Sequence, residues 1–445
     1  MKIKLFILLI INVLLQSFSV KAQFVSTPLT GYVEHKEAAV LVEVGAKTKV
    51  LSVKYWTKGA APKTKKYDGI LGQEHNFTKV ILESLEMNAE YQYCFVADGK
   101  ESKTNNFKTK EVWEYRKPAP DFSFLTGSCA YFNDSIYDRP GKPYGANPAI
   151  FEKMADTPSD FMLWLGDNFY TREADHSSKS GFLYRASHDR ATRELQRMLA
   201  SRPNYAIWDD HDFGPNDSGK NFRFKDFSRD LFIKMWGNPS FGQKNEGIYT
   251  SFLWNDAEFF LMDDRYFRDA DDLVELIDGK PNPEKEMYGK QQLDWFKTAI
   301  VASPATFKFI VTGSQVLNPN SDKDCLRHFP KEFNEIMAFL ELNKVPGVLF
   351  LTGDKHHSEI IKIERKGTYP LHDITASPLT SGVSNIMKTA EKDNPARIDG
   401  TLVAAQNFAK ISIIGPKNKR QVVIDFIDAK GERKGGTTLN ESDLK

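Results

Sequence analysis

Several short apolar runs in this chain end in side chains able to hold a metal ion or meet a phosphate. They are FSFLTGSCA (Phe122–Ala130), FMLWLGDNFY (Phe161–Tyr170), YAIWDDHD (Tyr205–Asp212), FKFIVTGSQ (Phe307–Gln315) and VLFLTGDKHH (Val348–His357). A strand buried on both faces reads as a continuous apolar run of this kind. Open α/β sheets place their ligands at the carboxyl ends of such strands. One run ending in Asp is a common turn. Five runs ending in Cys, Asp/Tyr, Asp/His, Gln and Asp/His describe one site assembled from many strand tips.

In Gly166-Asp167-Asn168-Phe169-Tyr170 the glycine lets the backbone turn sharply off the strand. Asp167 is left at the tip, where two carboxylate oxygens can bridge two cations, and Tyr170 can curl back to the same point. Asp209-Asp210-His211-Asp212 crowds acidic groups that repel unless a cation lies among them. Asp210 is a candidate ligand and His211 a candidate proton donor or phosphate contact; the plainer alternative is a capped helix start. In Gly353-Asp354-Lys355-His356-His357, residues 354 and 356 alternate, so an extended backbone points both the same way. His357 then points elsewhere, as a loop or core histidine.

Two ligand sets emerge. Cys129, Asp167, Tyr170 and His356 offer a thiolate, a carboxylate, a phenolate and an imidazole, a mixture that suits a transition metal such as Fe(III). Asp167, Asp210 and Asp354 offer only oxygen, which suits a hard ion such as Ca²⁺ or Mg²⁺. Two metals about 4 Å apart can clamp a phosphoryl group and activate a water. A nucleophilic Cys129 is the alternative use of that thiol.

The elements that must hold these residues fall into segments. Residues 23–115 carry β-branched and aromatic alternation broken by turns, as in VLVEVGAKTKVLSVKYW. Leu85–Tyr93 resembles the tyrosine-corner region of a fibronectin III-like sandwich. Lys117-Pro118-Ala119-Pro120 reads as a linker. Over residues 121–428 strands alternate with helix-period segments at Ala149–Met154, Arg190–Ala200, Gln291–Ala302 and Phe333–Leu342, which argues for an α/β domain. ISIIG and QVVIDFID read as a closing hairpin, and residues 429–445 as a polar, disordered tail.

The formal net charge of +1 leaves no polyanion-binding footprint, which argues against nucleic acid as a partner. Lys2 and Lys4 precede an apolar stretch from Leu5 to Leu15, and Val20 and Ala22 fit a cleavage site. Residues 1–22 therefore read as a signal peptide, too short in its apolar part to span a membrane comfortably as an anchor. The expected location is secreted or periplasmic, with no membrane span after signal removal. Three cysteines, Cys94, Cys129 and Cys325, make no disulfide framework, and the odd count leaves a thiol unpaired.

SCA, GDNFY, WDDHD, TGSQ and GDKHH, in this order, resemble the PhoD-like alkaline phosphatase/phosphodiesterase branch of the metallophosphatases. FLMDDRYFRD followed by MYGKQQLDWF resembles that family's Asp-x-Arg and Gly-x-x-Gln-x-x-Trp block. The match runs from Phe122 to Ile427, and GDxxY is shared with purple acid phosphatases. The resemblance implies a two-sheet α/β sandwich flanked by helices, preceded by a small fibronectin III-like β-sandwich. It implies iron at Cys129, Asp167, Tyr170 and His356, and calcium at Asp167, Asp210 and Asp354, with Mg²⁺, Mn²⁺ or Zn²⁺ as other pairs. It gives His211 a substrate-phosphate or leaving-group role, and makes Asn216 a calcium-side or phosphate candidate. Arg265 either contacts phosphate or braces the site through a carboxylate. Two features depart from the family pattern: there is no twin-arginine export signal, and FGPNDSG follows the WDDHD motif.

The expected activity is hydrolysis of small-molecule phosphoric mono- or diesters by in-line attack of a metal-bound hydroxide on phosphorus. The alternative is a non-catalytic surface binding protein on a metal-stabilised scaffold. Loops 171–181, 317–328 and 388–400 are expected to form the rim.

Overall fold

The computed structural model describes residues 23–321 and 323–445. The expected signal peptide lies outside the described residues, and among these no helix is long and apolar enough to cross a membrane.

Alternating apolar residues in the N-terminal region build a small β-sandwich. One sheet pairs Leu29–Val33, Ala38–Val44 and Asn76–Leu82 antiparallel. The other centres on Leu51–Thr57 and Glu90–Ala97. Val40, Val42, Val53, Tyr93 and Phe95 are buried between them. The tyrosine corner expected near residue 91 is present: the Glu86 amide donates to Tyr91 Oη at 2.9 Å. This sandwich packs against the larger C-terminal region. The Tyr32 amide donates to the Gly237 carbonyl at 2.6 Å, and Asn204 Nδ2 to the Thr30 carbonyl at 3.3 Å. The backbones meet at two glycines, since a Cβ on Gly31 would lie 2.6 Å from Gly237 Cα.

The apolar runs are strands, divided between two six-stranded sheets. The first has the order Asn204–Ile207, Phe161–Leu165, Phe122–Gly127, Asn407–Ile414, Gln421–Asp428, Arg433–Asn440, with its first three strands parallel. The second runs Thr250–Trp254, Ala257–Leu261, Phe307–Val311, Val348–Thr352, Leu371–Thr375, Glu359–Ile363. Its four inner strands are parallel.

Aromatic rings join the two sheets face to face. Phe124 of the first lies edge-on to Phe259 and Phe309 of the second, at 5.1 and 5.6 Å. Because side chains alternate along a strand, the next residue points outward to a helix. Phe260 meets Phe296 of the helix Gly289–Ala302, and Trp164 meets Phe151 of the helix Ile150–Asp156. The result is a helix–sheet–sheet–helix sandwich.

Residues 429–445 differ from expectation. Arg433–Asn440 pairs antiparallel with Gln421–Asp428 as the edge of the first sheet, and Leu444 is fully buried. Its polar composition suits an edge strand, whose backbone is held by the ladder while its outer side chains face water. Helices at Lys179–Arg190 and Lys225–Met235 also form where no clear apolar period exists. The first of these buries Arg185, Asp189 and Arg190 through ion pairs and hydrogen bonds instead.

Candidate metal centre

The carboxyl ends of strands from both sheets meet at one place. Cys129 follows Phe122–Gly127, Asp167 follows Phe161–Leu165, Asp210 follows Asn204–Ile207, and Asp354 and His356 follow Val348–Thr352. Cys129, Asp167, Asp354 and His356 all adopt left-handed backbone, with φ of 62°, 52°, 66° and 56°. Such conformations cost roughly 1–3 kcal/mol each and persist where the surroundings hold them, commonly at functional sites. Gly166, at φ +91°, makes the turn possible, and a Cβ there would lie 2.6 Å from Asp209 Cβ. Gly166→Ala is expected to cost more than about 1 kcal/mol and to displace Asp167. The melting temperature and metal retention should both fall; an equally stable variant that holds metal as tightly would contradict this.

Cys129 Sγ lies 3.6 Å from Asp167 Oδ2, and Tyr170 Oη donates to the same oxygen at 2.8 Å. Tyr170 Oη is 3.3 Å from His356 Nε2. Donor atoms of Cys129, Asp167 and His356 all lie within 4.8 Å of one another, as do those of Asp167, Asp209, Asp210 and Asp354. Asp167 is therefore shared between a mixed S/N/O group and an all-oxygen group.

Burial pushes the Asp167 carboxyl well above its ordinary range, with Asp210 and Cys129 adding to the rise. It likewise takes Asp354 up to about 7 and Cys129 up to about 12. Asp210 stays low: burial opposes its charge, but His211, Arg265 and the Asp217 amide outweigh that. A cation among these groups would favour the ionised form of each. The buried atoms Asp210 Oδ1, Asp209 Oδ2 and His211 Nδ1 have no hydrogen-bond partner in the protein. Orphaned buried carboxylate oxygens beside a thiol, a phenol and an imidazole fit a metal site.

The plainer alternative for Asp209–Asp212 is present alongside the chemical one. Asp209 and Asp212 form a reciprocal cap on a short helix turn, and Asp212 also accepts from the Asn168 amide. That cap aims Asp210 and His211 at the centre. The His211 amide donates to Asp167 Oδ1 at 3.2 Å, and its ring lies 4.1 Å from the Tyr170 ring. His211 and Asn216 line a cavity of about 780 Å³ together with Tyr131, Tyr144, Arg172 and His176. Next to Asn216, the Asp217 amide donates to Asp210 Oδ2 at 2.8 Å.

Arg265, offered by the sequence as a phosphate contact or a brace, is placed as a brace. It is 0% exposed, with Nε on Asp209 Oδ1 at 2.5 Å and Nη2 on Asp324 Oδ1 at 3.1 Å. Gln315 also lies away from the ligand groups and bonds Glu359 and Thr375. His357 pairs with Glu359 and Glu391 at 3.3 and 3.2 Å, as a core histidine. Cys94, Cys129 and Cys325 are all free and buried.

Sequence reasoning missed Tyr131 and Tyr144, on the segment after the first strand tip, and Ser377, whose Oγ donates to Cys129 Sγ at 3.2 Å. No apolar period or ligand spacing marks them. Of the expected rim, the cavity draws on Thr171, Arg172, Glu173 and His176, and it is also lined by the unforeseen 131–144 segment.

Residues 233–414 match the family model for PhoD-like phosphatase. A search of curated proteins finds no match. Among solved structures, the chain is similar to that of PhoD, at 15% identity, covering 95% of this chain and 92% of that one, with a TM-score of 0.75. It is also similar to purple acid phosphatase PPD1 from yellow lupin (Lupinus luteus) seeds, at 11% identity, covering 93% and 74%, with a TM-score of 0.64.

Proposed function

We propose that the chain is a PhoD-like metallophosphatase, and so a phosphoester hydrolase, and that its catalytic centre is the cluster around Asp167. The observation that carries this is the sharing of Asp167 between two groups of converging donor atoms. Cys129, Asp167, Tyr170 and His356 would hold Fe(III), and Asp167, Asp210 and Asp354 would hold Ca²⁺. The catalytic unit is taken as residues 121–445, since the edge strand Arg433–Asn440 completes its first sheet, and the N-terminal sandwich as 23–115, with residues 1–22 removed on export.

Bound cations would supply positive charge against the phosphoryl oxygens and acidify a water. The chain's residues do the rest. Asp167, held by Tyr170 and the His211 amide, fixes the spacing of the two donor groups. His211 projects into the cavity, and burial lowers its pKa. A ring N–H of His211 would stabilise negative charge developing on a phosphoryl or leaving-group oxygen by hydrogen bonding. Cys129 is a ligand rather than a nucleophile: it is 0% exposed, with a thiol pushed up to about 12 by burial.

The test is hydrolysis of a chromogenic phosphomonoester and a matched diester, with and without calcium. Cleavage is expected to need metal and to stop on chelation, and the two rates report which ester the cavity admits. Metal-replete protein that cleaves neither ester would overturn the assignment.

A further inference from the structure

The two ring nitrogens of His356 have different neighbours. Nε2 faces inward, 3.3 Å from Tyr170 Oη and 3.5 Å from Ser381 Oγ, on the side of Cys129 and Asp167. Nδ1 faces outward and lies 3.0 Å from Tyr144 Oη. If Nε2 gives its electron pair to a cation, the ring proton must sit on Nδ1 and needs an acceptor. Such outer partners fix the tautomer and orientation of a ligating histidine. Carboxylates, backbone carbonyls and waters are the usual ones; here a phenol occupies the position.

Tyr144 is half-exposed, yet its ring is closely held. A Cβ on Gly382 would lie 2.8 Å from Tyr144 Cε2, so that position must stay bare for the ring to pack. Tyr131 meets it edge-on at 4.9 Å. The flanking backbone is pinned by the Gly145 amide on Asn133 Oδ1 at 2.9 Å and the Ala146 amide on the Thr380 carbonyl at 2.6 Å. The same ring lines the cavity that His211 and Asn216 share.

We propose that Tyr144 is a positioning residue for the centre: its hydroxyl accepts the Nδ1 proton of His356 and locks the imidazole with Nε2 toward Cys129 and Asp167. The inference rests on the metal-centre reading above.

The test uses Tyr144→Phe, which keeps the ring and its packing and removes the hydroxyl. Metal retention against a chelator is expected to weaken by about 10–100-fold, while the melting temperature of metal-stripped protein stays unchanged. His356→Ala serves as the background for a double-variant cycle. Adding Tyr144→Phe to it should produce no further loss of metal, because the hydroxyl acts through that ring. Unchanged retention in Tyr144→Phe overturns the inference alone, as does an equal extra loss in the His356→Ala background. A wild-type chain that retains no metal overturns the centre and this inference with it.

Discussion

Asp167→Asn removes phosphoester hydrolysis, by on the order of 10³-fold or more in kcat/KM, and leaves the folded protein at least as stable when metal-stripped. The two halves of that result have one cause. Asp167 is buried among Asp210, Cys129 and Asp354, each of which raises its pKa after burial itself has done so. Without a cation, the protein favours a neutral group at that position. An amide supplies one: its oxygen can still accept from Tyr170, as Oδ2 now does at 2.8 Å, and the hydrogen bond lost is the weaker one from the His211 amide at 3.2 Å. What it cannot supply is the charge that, in the proposed centre, would hold two cations together. Steady-state kinetics on metal-replete protein and thermal melting after chelation measure the two halves. Near-normal turnover would remove Asp167 as the bridge; a lower melting temperature in stripped protein would show that its charge supports the fold.

Arg265→Leu has a different profile, destabilising the protein by about 3–5 kcal/mol. The guanidinium is 0% exposed and lies between Asp209, at 2.5 Å, and Asp324, at 3.1 Å. Removing it leaves buried carboxylates without their counter-charge, which costs more than the pair contributes while intact. Native domains hold only about 5–15 kcal/mol in reserve, so the denaturation midpoint should shift visibly. Asp209 caps the turn that aims Asp210 and His211, so activity should fall together with stability. A raised KM at unchanged stability would instead restore Arg265 as a phosphate contact.

The centre was legible wherever chemistry sat at the end of an apolar run. Glycine before Asp167 and before Asp354 marks a strand that must turn, and the buried run before it marks where the strand came from. How the runs divide between two sheets was not legible, because a run buried on both faces carries no label for its partner. Tyr144 and Asp324 were hidden for a different reason. Each acts on a residue far away in the chain, His356 and Arg265, and no local spacing encodes that meeting. The C-terminal strand was hidden by its glycines and polar residues, since a sheet edge needs backbone pairing more than apolar side chains. The helix Lys179–Arg190 was hidden because it buries charge rather than an apolar stripe.

The strand order of the first sheet sets a timetable. Phe122–Gly127, whose end presents Cys129, has Phe161–Leu165 on one side and Asn407–Ile414 on the other. The second neighbour comes much later in the chain than the first. Until it arrives, the central strand has an open edge, and pairings between such distant segments form slowly. His356 and Asp354 are also made late, long after Cys129 and Asp167. A nascent chain that has reached only Asp167 therefore carries part of the proposed ligand set and no closed sheet to hold it. The thiol of Cys129 stays open to oxidation until Asp354, Ser377, Thr380 and Ser381, which contact Cys129 in the folded protein, close against it.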